Sequence, residues 1–166
     1  RDWHAYYANG IIISNVSHRR FTQSFPPPPP GVSETHTLGS EVNLHLSTDA
    51  CLTFVPVTVH GDVTVRVRNI GSQGSDQLYD TEMLQLDLVG GTLPRGVQVR
   101  ESPTRASTGE TRITPDAGGF QISSFFDVFT EISLDGGLTW SPSETPGHMA
   151  LQIDPATYPT SIVQPR

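Results

Sequence analysis

The chain has no lysine, a single cysteine and no apolar run of transmembrane length. All ten basic residues are arginines, scattered apart from Arg19 and Arg20, and the formal net charge is −7. Without a basic stripe to neutralise phosphates, nucleic acid is not expected as a partner. The lone Cys51 excludes an internal disulfide, and its place in the apolar run Cys51 to Val55 predicts a buried thiol. No membrane span is expected.

Helical signals are also scarce, whereas short alternating runs of Val, Ile, Thr, Leu and Phe recur between 15 glycines and 14 prolines. Such a pattern over 166 residues predicts an all-β chain, an antiparallel Ig-like or jelly-roll-like β-sandwich with an N-terminal extension strand. The expected elements are a hairpin of Val55–Val59 and Val63–Val67 turning at His60-Gly61-Asp62, a strand through Leu84, Leu86 and Leu88, a hairpin around Pro115–Gly119, and a long strand from Phe125 to Leu134.

Five consecutive prolines, Pro26 to Pro30, form the strongest boundary. Proline runs favour polyproline II, a stiff rod that rises about 3.1 Å per residue. We therefore divide the chain into an N-terminal segment (residues 1–25), a polyproline linker (26–31) and a β-sandwich domain (32–166).

The N-terminal segment is strongly strand-forming and apolar. An isolated strand leaves backbone groups and apolar side chains exposed, so this one needs a sheet to join. It either folds back onto its own domain or inserts into a neighbouring copy, as strand-addition interfaces do. The rod-like linker favours the neighbour. The residues expected to mediate self-assembly are Trp3, Tyr6, Tyr7, Ile11, Ile12, Ile13 and Val16.

Two further motifs are local. Asn15-Val16-Ser17 is an N-x-S sequon, which makes Asn15 a candidate glycosylation site. The run from Ser133 to Trp140 matches the Asp-box pattern S-x-D-x-G-x-T-W found in sialidases and other propeller proteins, where it builds a β-hairpin turn. That pattern predicts structural roles for Ser133, Asp135, Gly137 and Trp140.

Signals for catalysis are weak. Asp127 and Glu131 share a strand face but lie about 13 Å apart by strand rise, too far for paired-carboxylate chemistry. The six histidines show no zinc-site spacing, and Asp76, Asp80 and Glu82 are more typical of a solvated loop than of a calcium site. We expect a protein that is not an enzyme and has no cofactor and no metal.

Two long stretches carry a resemblance. They are Val99-Arg100-Glu101-Ser102-Pro103-Thr104 and the run from Gly118 to Gly137, which contains Ser124-Phe125-Phe126-Asp127-Val128-Phe129-Thr130-Glu131. The pattern resembles a module of uncharacterised secreted bacterial proteins of environmental origin. The whole chain also resembles the protomers of extracellular fibrils from freshwater samples, Ig-like sandwiches that pass an N-terminal strand to the next protomer. The resemblance implies no catalytic residues.

Together these features predict a secreted structural subunit, extracellular or on the cell surface, that polymerises head-to-tail with identical protomers, with Asn15 as the candidate site for a glycan. The acidic, hydroxyl-rich composition is typical of such a location. The alternative is a monomeric secreted module that binds carbohydrate or a surface partner, with its N-terminal strand folded back.

Overall fold

The computed structural model describes residues 5–19, 27–116 and 119–151. Trp3, Pro26 and the end of the predicted sandwich domain lie outside these ranges. Apart from a 3-10 turn at Ala8–Gly10, the regular elements of the described part are strands. The eleven strands are β1 (Ala5–Tyr6), β2 (Ile12–Arg19), β3 (Ser33–Ser47), β4 (Val55–Gln73), β5 (Asp76–Val89), β6 (Gln98–Glu101), β7 (Ser107–Asp116), β8 (Gly119–Val128), β9 (Thr130–Ser133), β10 (Ser141–Pro142) and β11 (Gly147–Leu151).

The prediction of an all-β, almost entirely antiparallel, sandwich-like fold is confirmed. Strands β2, β3, β4, β5, β7, β8 and β11 are paired in that order, and β11 pairs back to β2, so their ladders close a circuit. The far end of β5 leaves the circuit and pairs with β6, which continues to β9 and β10. Among the described ladders, β2–β11 is the parallel one.

The core lies between the closed circuit and the smaller sheet of β6, β9 and β10. Its side chains come from both, because alternate residues of each strand point inward. The central buried residues are Ile11, Ile13, Val42, Leu44, Leu46, Val57, Val59, Val63, Met83, Leu86, Leu88, Val99, Val128, Ile132 and Met149.

The prediction of a hairpin turn at His60-Gly61-Asp62 is wrong. Strand β4 runs straight through these residues, pairing along β3 from Leu46–Val55 to Ser33–Arg68. Gly61 is needed for close approach instead, because a Cβ there would lie 2.5 Å from the carbonyl oxygen of Asp87. The alternation of valines keeps its phase across Gly61, which is what a continuous strand requires.

Two other predicted strands are modified by bulges or breaks. The β4–β5 register shifts between Thr64 and Val65, so the buried face of β5 changes from Met83 to Leu86 and leaves Leu84 exposed. The strand expected from Phe125 to Leu134 is interrupted at Phe129, where the chain passes from β8 in the circuit to β9 in the smaller sheet. The hairpin around Pro115–Gly119 is confirmed as the β7–β8 ladder.

The proline run ends against the tip of β4. The side-chain amide of Asn69 donates to the carbonyl of Pro28 at 3.0 Å, and the Asn69 backbone exchanges hydrogen bonds with Gly31 and Val32. Strand β3 then begins at Ser33. The C-terminal end of the predicted linker is thus anchored to the domain through a buried asparagine.

Candidate self-assembly site

The N-terminal segment occupies a slot between β3 and β11. Strand β2 pairs antiparallel with β3, from Ile12–Ser47 to Arg19–Glu41, and parallel with the end of β11. Ala5 and Tyr6 form the short strand β1, which folds back on Ile12 and Ile13. The slot therefore supplies β3 as a ladder partner along one edge of β2, and β11 as a partner of Ser17 and His18 on the other edge.

Most of the predicted assembly residues are brought together in this slot. Tyr7, Ile11, Ile12 and Ile13 are all at most 5% exposed, and Val16 packs partly against the core. The remaining two differ: Tyr6 is 39% exposed, and Trp3 lies outside the described residues. Ile12 is buried although it has the opposite parity to Ile11 and Ile13, so the segment is covered on both faces.

Tyr7 fastens the segment to the smaller sheet. Its hydroxyl hydrogen-bonds that of Thr130 on β9, and its backbone amide donates to Ile11 at 2.9 Å. Burial raises the pKa of the Tyr7 phenol well above its usual range. The neighbouring carbonyl of Tyr6 accepts from the amide of Glu144 at 2.7 Å. The segment thus contacts both sheets.

His18 closes the other end of the slot. Its Nε2 pairs with the hydroxyl of Ser40, which in turn donates to the carbonyl of Gly61 at 3.0 Å. Burial lowers the pKa of His18 to about 4, so the ring is neutral at physiological pH. A neutral histidine fits an apolar slot, whereas an imidazolium ion there would be poorly solvated.

Asn15, the candidate glycosylation site, points out of the slot. It is exposed and has a φ of 51°, next to the register shift between Ser14 and Ser17. Its amide lies 3.2 Å from Nδ1 of His45 on β3. A glycan at Asn15 would extend into solvent while both neighbours of the bulge stay paired.

A small apolar cavity lies beneath the slot. Its volume is about 30 Å³, and its walls include Ile13, Val16, Leu44 and Met149. Such a space is far smaller than a ligand pocket and offers few polar groups, so it cannot take a sugar or cofactor.

The predicted Asp-box residues lie in the loop between β9 and β10, away from the slot. Asp135 accepts hydrogen bonds from the hydroxyl and amide of Thr139, from the Ser133 hydroxyl and from the Leu138 amide, and these lower the pKa of its carboxyl to about 2. Gly137 donates its amide to Ser133, at a φ of 92°. The Trp140 indole donates to the carbonyl of Gly137 at 3.1 Å, and the Arg100 guanidinium lies 4.0 Å from the ring centroid.

A second loop of the same construction follows β3 and was missed from the sequence. Asp49 accepts from Ser47 and from both the amide and hydroxyl of Thr53, at 2.9, 2.9 and 2.5 Å, while Cys51 donates its amide to Ser47. The sequence, from Ser47 to Phe54, keeps Ser, Asp, Thr and an aromatic residue at the Asp-box spacing. It lacks the glycines: Ala50 and Cys51 adopt φ of 56° and 72° instead. A search that relaxed the glycine positions would have found it.

Cys51 is exposed, so the predicted burial of its thiol is wrong. The apolar run that contains it is a surface loop, in which Leu52 is 83% exposed, because the Asp49 turn directs the chain outward.

The acidic residues considered for catalysis or metal binding have separate partners. Asp127 lies 2.8 Å from Nδ1 of His148, and Glu131 binds Arg100 at 2.6 Å. The carboxylates considered for calcium lie along β5, where Asp76 pairs with Arg112 and Glu82 with Arg66. Within residues 5–19, 27–116 and 119–151, no group of three or more His, Cys, Asp or Glu is arranged to hold a metal ion.

Comparisons with known proteins find no similar family model, curated protein or solved structure. In the described part of the chain, no helix has the length and apolarity needed to cross a membrane.

Proposed function

We propose that the protein is a non-catalytic structural subunit of an extracellular filament, in which each protomer places its N-terminal strand in the β3–β11 slot of the next. The observation that carries the proposal is the slot itself. A single segment, residues 5–19, closes the strand circuit and contributes Tyr7, Ile11 and Ile13 to the core.

The free energy gained when β2 occupies the slot is large. Burying one isoleucine side chain is worth about 1.5–3 kcal/mol, and the ladders on both edges of β2 add backbone hydrogen bonds. A neighbouring copy offers the same contacts as the parent chain, so exchanging the strand between copies replaces them without loss. This equivalence makes strand exchange a low-cost route to assembly.

The segment leaves the domain far from the slot. Arg19 pairs with Glu41, whereas the connection re-enters the sheet at Ser33, next to the anchored Pro28. Ser33 and Glu41 are eight residues apart on β3, which corresponds to about 27 Å of strand. The linker therefore enters at the first residue of β3, whereas the slot lies along the second half of that strand, from Glu41 to Ser47, which favours a head-to-tail contact that propagates rather than a closed dimer.

Two further features support an extracellular filament. Asn15 is exposed on the paired strand, so a glycan there is compatible with an occupied slot. The resemblance of the chain to fibril protomers points to the same assembly.

A cross-linking experiment on the full chain tests the proposal. In a Cys51→Ser background, Ser17→Cys and Asn43→Cys place thiols at opposed positions of β2 and β3, within reach of a disulfide. If neighbours exchange β2, oxidation gives a ladder of covalent multimers on a non-reducing gel, and electron microscopy shows filaments. Recombinant protein from a host without N-glycosylation avoids interference from the altered sequon.

The matched control is Thr37→Cys with Thr64→Cys, an opposed pair of β3 and β4 that can form only within one chain. It should give monomer under the same oxidation. If the Ser17–Asn43 pair also gives only monomer, and light scattering reports the mass of one protomer, the filament proposal fails. The alternative, a monomeric binding module, is favoured by one observation: β2 is seated in the slot of its own chain.

A further inference from the structure

The same strand pairing occurs twice along the chain, at a constant spacing of 86 residues. On one side, Ile13 pairs with Leu46, and Leu46 with Val55. On the other, residues 86 positions later repeat both pairings: Val99 pairs with Ile132, and Ile132 with Ser141. Strand β2 thus corresponds to β6, β3 to β9, and the start of β4 to β10.

Residue identities follow the same spacing without a gap. Six of the fifteen positions from Ser47 to Gly61 are identical to those from Ser133 to Gly147. Between residues 10–13 and 42–63 and their counterparts 96–99 and 128–149, the identical pairs are Gly10 and Gly96, Val42 and Val128, Ser47 and Ser133, Asp49 and Asp135, Leu52 and Leu138, Thr53 and Thr139, Pro56 and Pro142, and Gly61 and Gly147.

The burial and exposure of side chains also repeat at the spacing of 86 residues. Leu52 and Leu138, at the tips of the two loops, are 83% and 84% exposed. Pairs in which both members are buried are Ile11 and Val97, Ile13 and Val99, Val42 and Val128, Leu46 and Ile132, Ser47 and Ser133, Val57 and Ser143, and Val63 and Met149. Agreement in pairing, identity and burial indicates a duplicated unit, in which residues 10–13 and 42–63 correspond to residues 96–99 and 128–149.

Each unit fastens its first strand in the same way. The amide of Ala50 donates to the carbonyl of Gly10 at 3.0 Å, and the amide of Gly136 donates to the carbonyl of Gly96 at 2.9 Å. Both acceptor glycines have positive φ, 73° and 82°. A Cβ on Gly10 would lie 3.1 Å from that of Ala50, and one on Gly96 would lie 2.9 Å from the carbonyl oxygen of Leu134.

We infer that Gly10 and the loop of Asp49 form a strand latch, which selects a β-strand of the pattern glycine, apolar, any residue, apolar, and fixes its register in the slot. Gly96 and the loop of Asp135 are its internal duplicate, closed on β6. The selected sequences, each of which leads from the glycine into its strand, are Gly10-Ile11-Ile12-Ile13 and Gly96-Val97-Gln98-Val99.

Register matters because a slip of one residue moves every side chain of a strand to the opposite face. A slip of β2 in either direction would place Asn9 or Ile11 at the latch, and a Cβ there meets Ala50. The latch therefore rejects a slipped strand as well as a strand without glycine. That the strand is supplied by a second copy of the chain rests on the proposed function; the latch itself does not.

The matched variants Gly10→Ala and Gly96→Ala test the latch in the full chain by hydrogen exchange. Because a non-glycine residue is disfavoured at positive φ, Gly10→Ala should speed amide exchange in β2 about tenfold and leave β6 unchanged. Gly96→Ala should do the reverse. Adding Ala50→Gly to Gly10→Ala removes the Cβ contact and should restore part of the protection.

A second readout reports register. With the Ser17→Cys and Asn43→Cys pair in the Cys51→Ser background, Gly10→Ala should lower the yield of the disulfide, within or between chains, and Gly96→Ala should not. Unchanged β2 exchange together with an unchanged disulfide yield would overturn the latch. If the wild-type chain forms no filaments, the proposed function fails, while both measurements still decide the latch.

Discussion

The hydroxyl groups of Tyr7 and Thr130 are hydrogen-bonded across a separation of 123 residues. Tyr7 belongs to the segment that fills the slot, and Thr130 starts β9 in the smaller sheet. This bond joins the N-terminal segment to a sheet with which β2 has no ladder among the described pairings.

Removing this bond should destabilise the protein modestly, and removing the ring should destabilise it severely. We expect Tyr7→Phe to lower the free energy of unfolding by about 1 kcal/mol and Tyr7→Ala by about 3–5 kcal/mol. Urea titration followed by circular dichroism measures both. In a double-mutant cycle, Thr130→Val should add little to Tyr7→Phe, because both remove the same bond. Fully additive effects would show that the two hydroxyls do not interact.

The loop of Asp49 should gain stability from the glycines that the loop of Asp135 already has. Non-glycine residues with positive φ cost about 1–2 kcal/mol, partly offset by the greater chain entropy of glycine when unfolded. We expect Ala50→Gly and Cys51→Gly each to raise the free energy of unfolding, by about 0.5–1 kcal/mol. The mirror changes Gly136→Ala and Gly137→Ala should lower it. A lower melting temperature for both Ala50→Gly and Cys51→Gly would contradict the positive φ of these two residues.

The carboxylates of the two loops should serve the fold rather than any chemistry. Asp135→Ala removes the acceptor of Leu138 and Thr139, and Asp49→Ala that of Thr53, so each should lower the melting temperature. The pKa of Asp135 is about 2 in the folded protein, below the ordinary aspartate value of 3.8. Its contribution is therefore present above pH 3.8 and lost as the pH falls towards 2. Calorimetry of both variants tests this, and an unchanged melting temperature would count against a structural Asp-box.

Acid should destabilise the folded protein, with β2 in its slot, through protonation of His18. The pKa of His18 is about 4 in the folded protein and 6.5 in the unfolded chain. Between these pH values the unfolded chain therefore binds the proton more readily. Stability should fall as the pH drops from about 6.5 to 4, by on the order of 2–3 kcal/mol. His18→Gln should remove this slope in melting curves recorded across the window. The same slope in that variant would assign it to another group.

Glu101 should change the stability of the fold with pH in the opposite direction to His18, over an overlapping pH range. Burial raises its pKa from 4.5 to about 7, with Glu82 and Glu131 adding repulsion, although Ser107 donates to it. The folded state therefore holds this proton more tightly, and its contribution is lost as the pH rises from 4.5 through 7. Glu101→Gln serves as the control that isolates the His18 slope.

The alternating pattern was enough to predict an all-β fold, because period-two burial needs only local sequence. The hairpin at His60-Gly61-Asp62 was wrong because glycine marks both turns and close approaches, and only the position of Asp87 on a distant strand distinguishes them. The break at Phe129 was equally invisible: the apolar run is continuous, and the change of sheet is set by partners elsewhere in the chain.

At the candidate site, the apolar character of Tyr7 and Ile11 to Ile13 was readable, since such a run must be covered. The slot that covers it was not readable, because β11 lies more than a hundred residues away. The loop of Asp49 was hidden by Ala50 and Cys51, which stand where glycine is expected.

The seating of β2 between two strands has a mechanical consequence. Tension applied along the axis of β2 loads its hydrogen bonds to β3 and β11 simultaneously, in shear, instead of peeling them apart one after another. A joint of this kind resists pulling far better than an edge strand unzipped from its end. In a filament linked through this strand, each junction would meet flow or drag in its strongest direction.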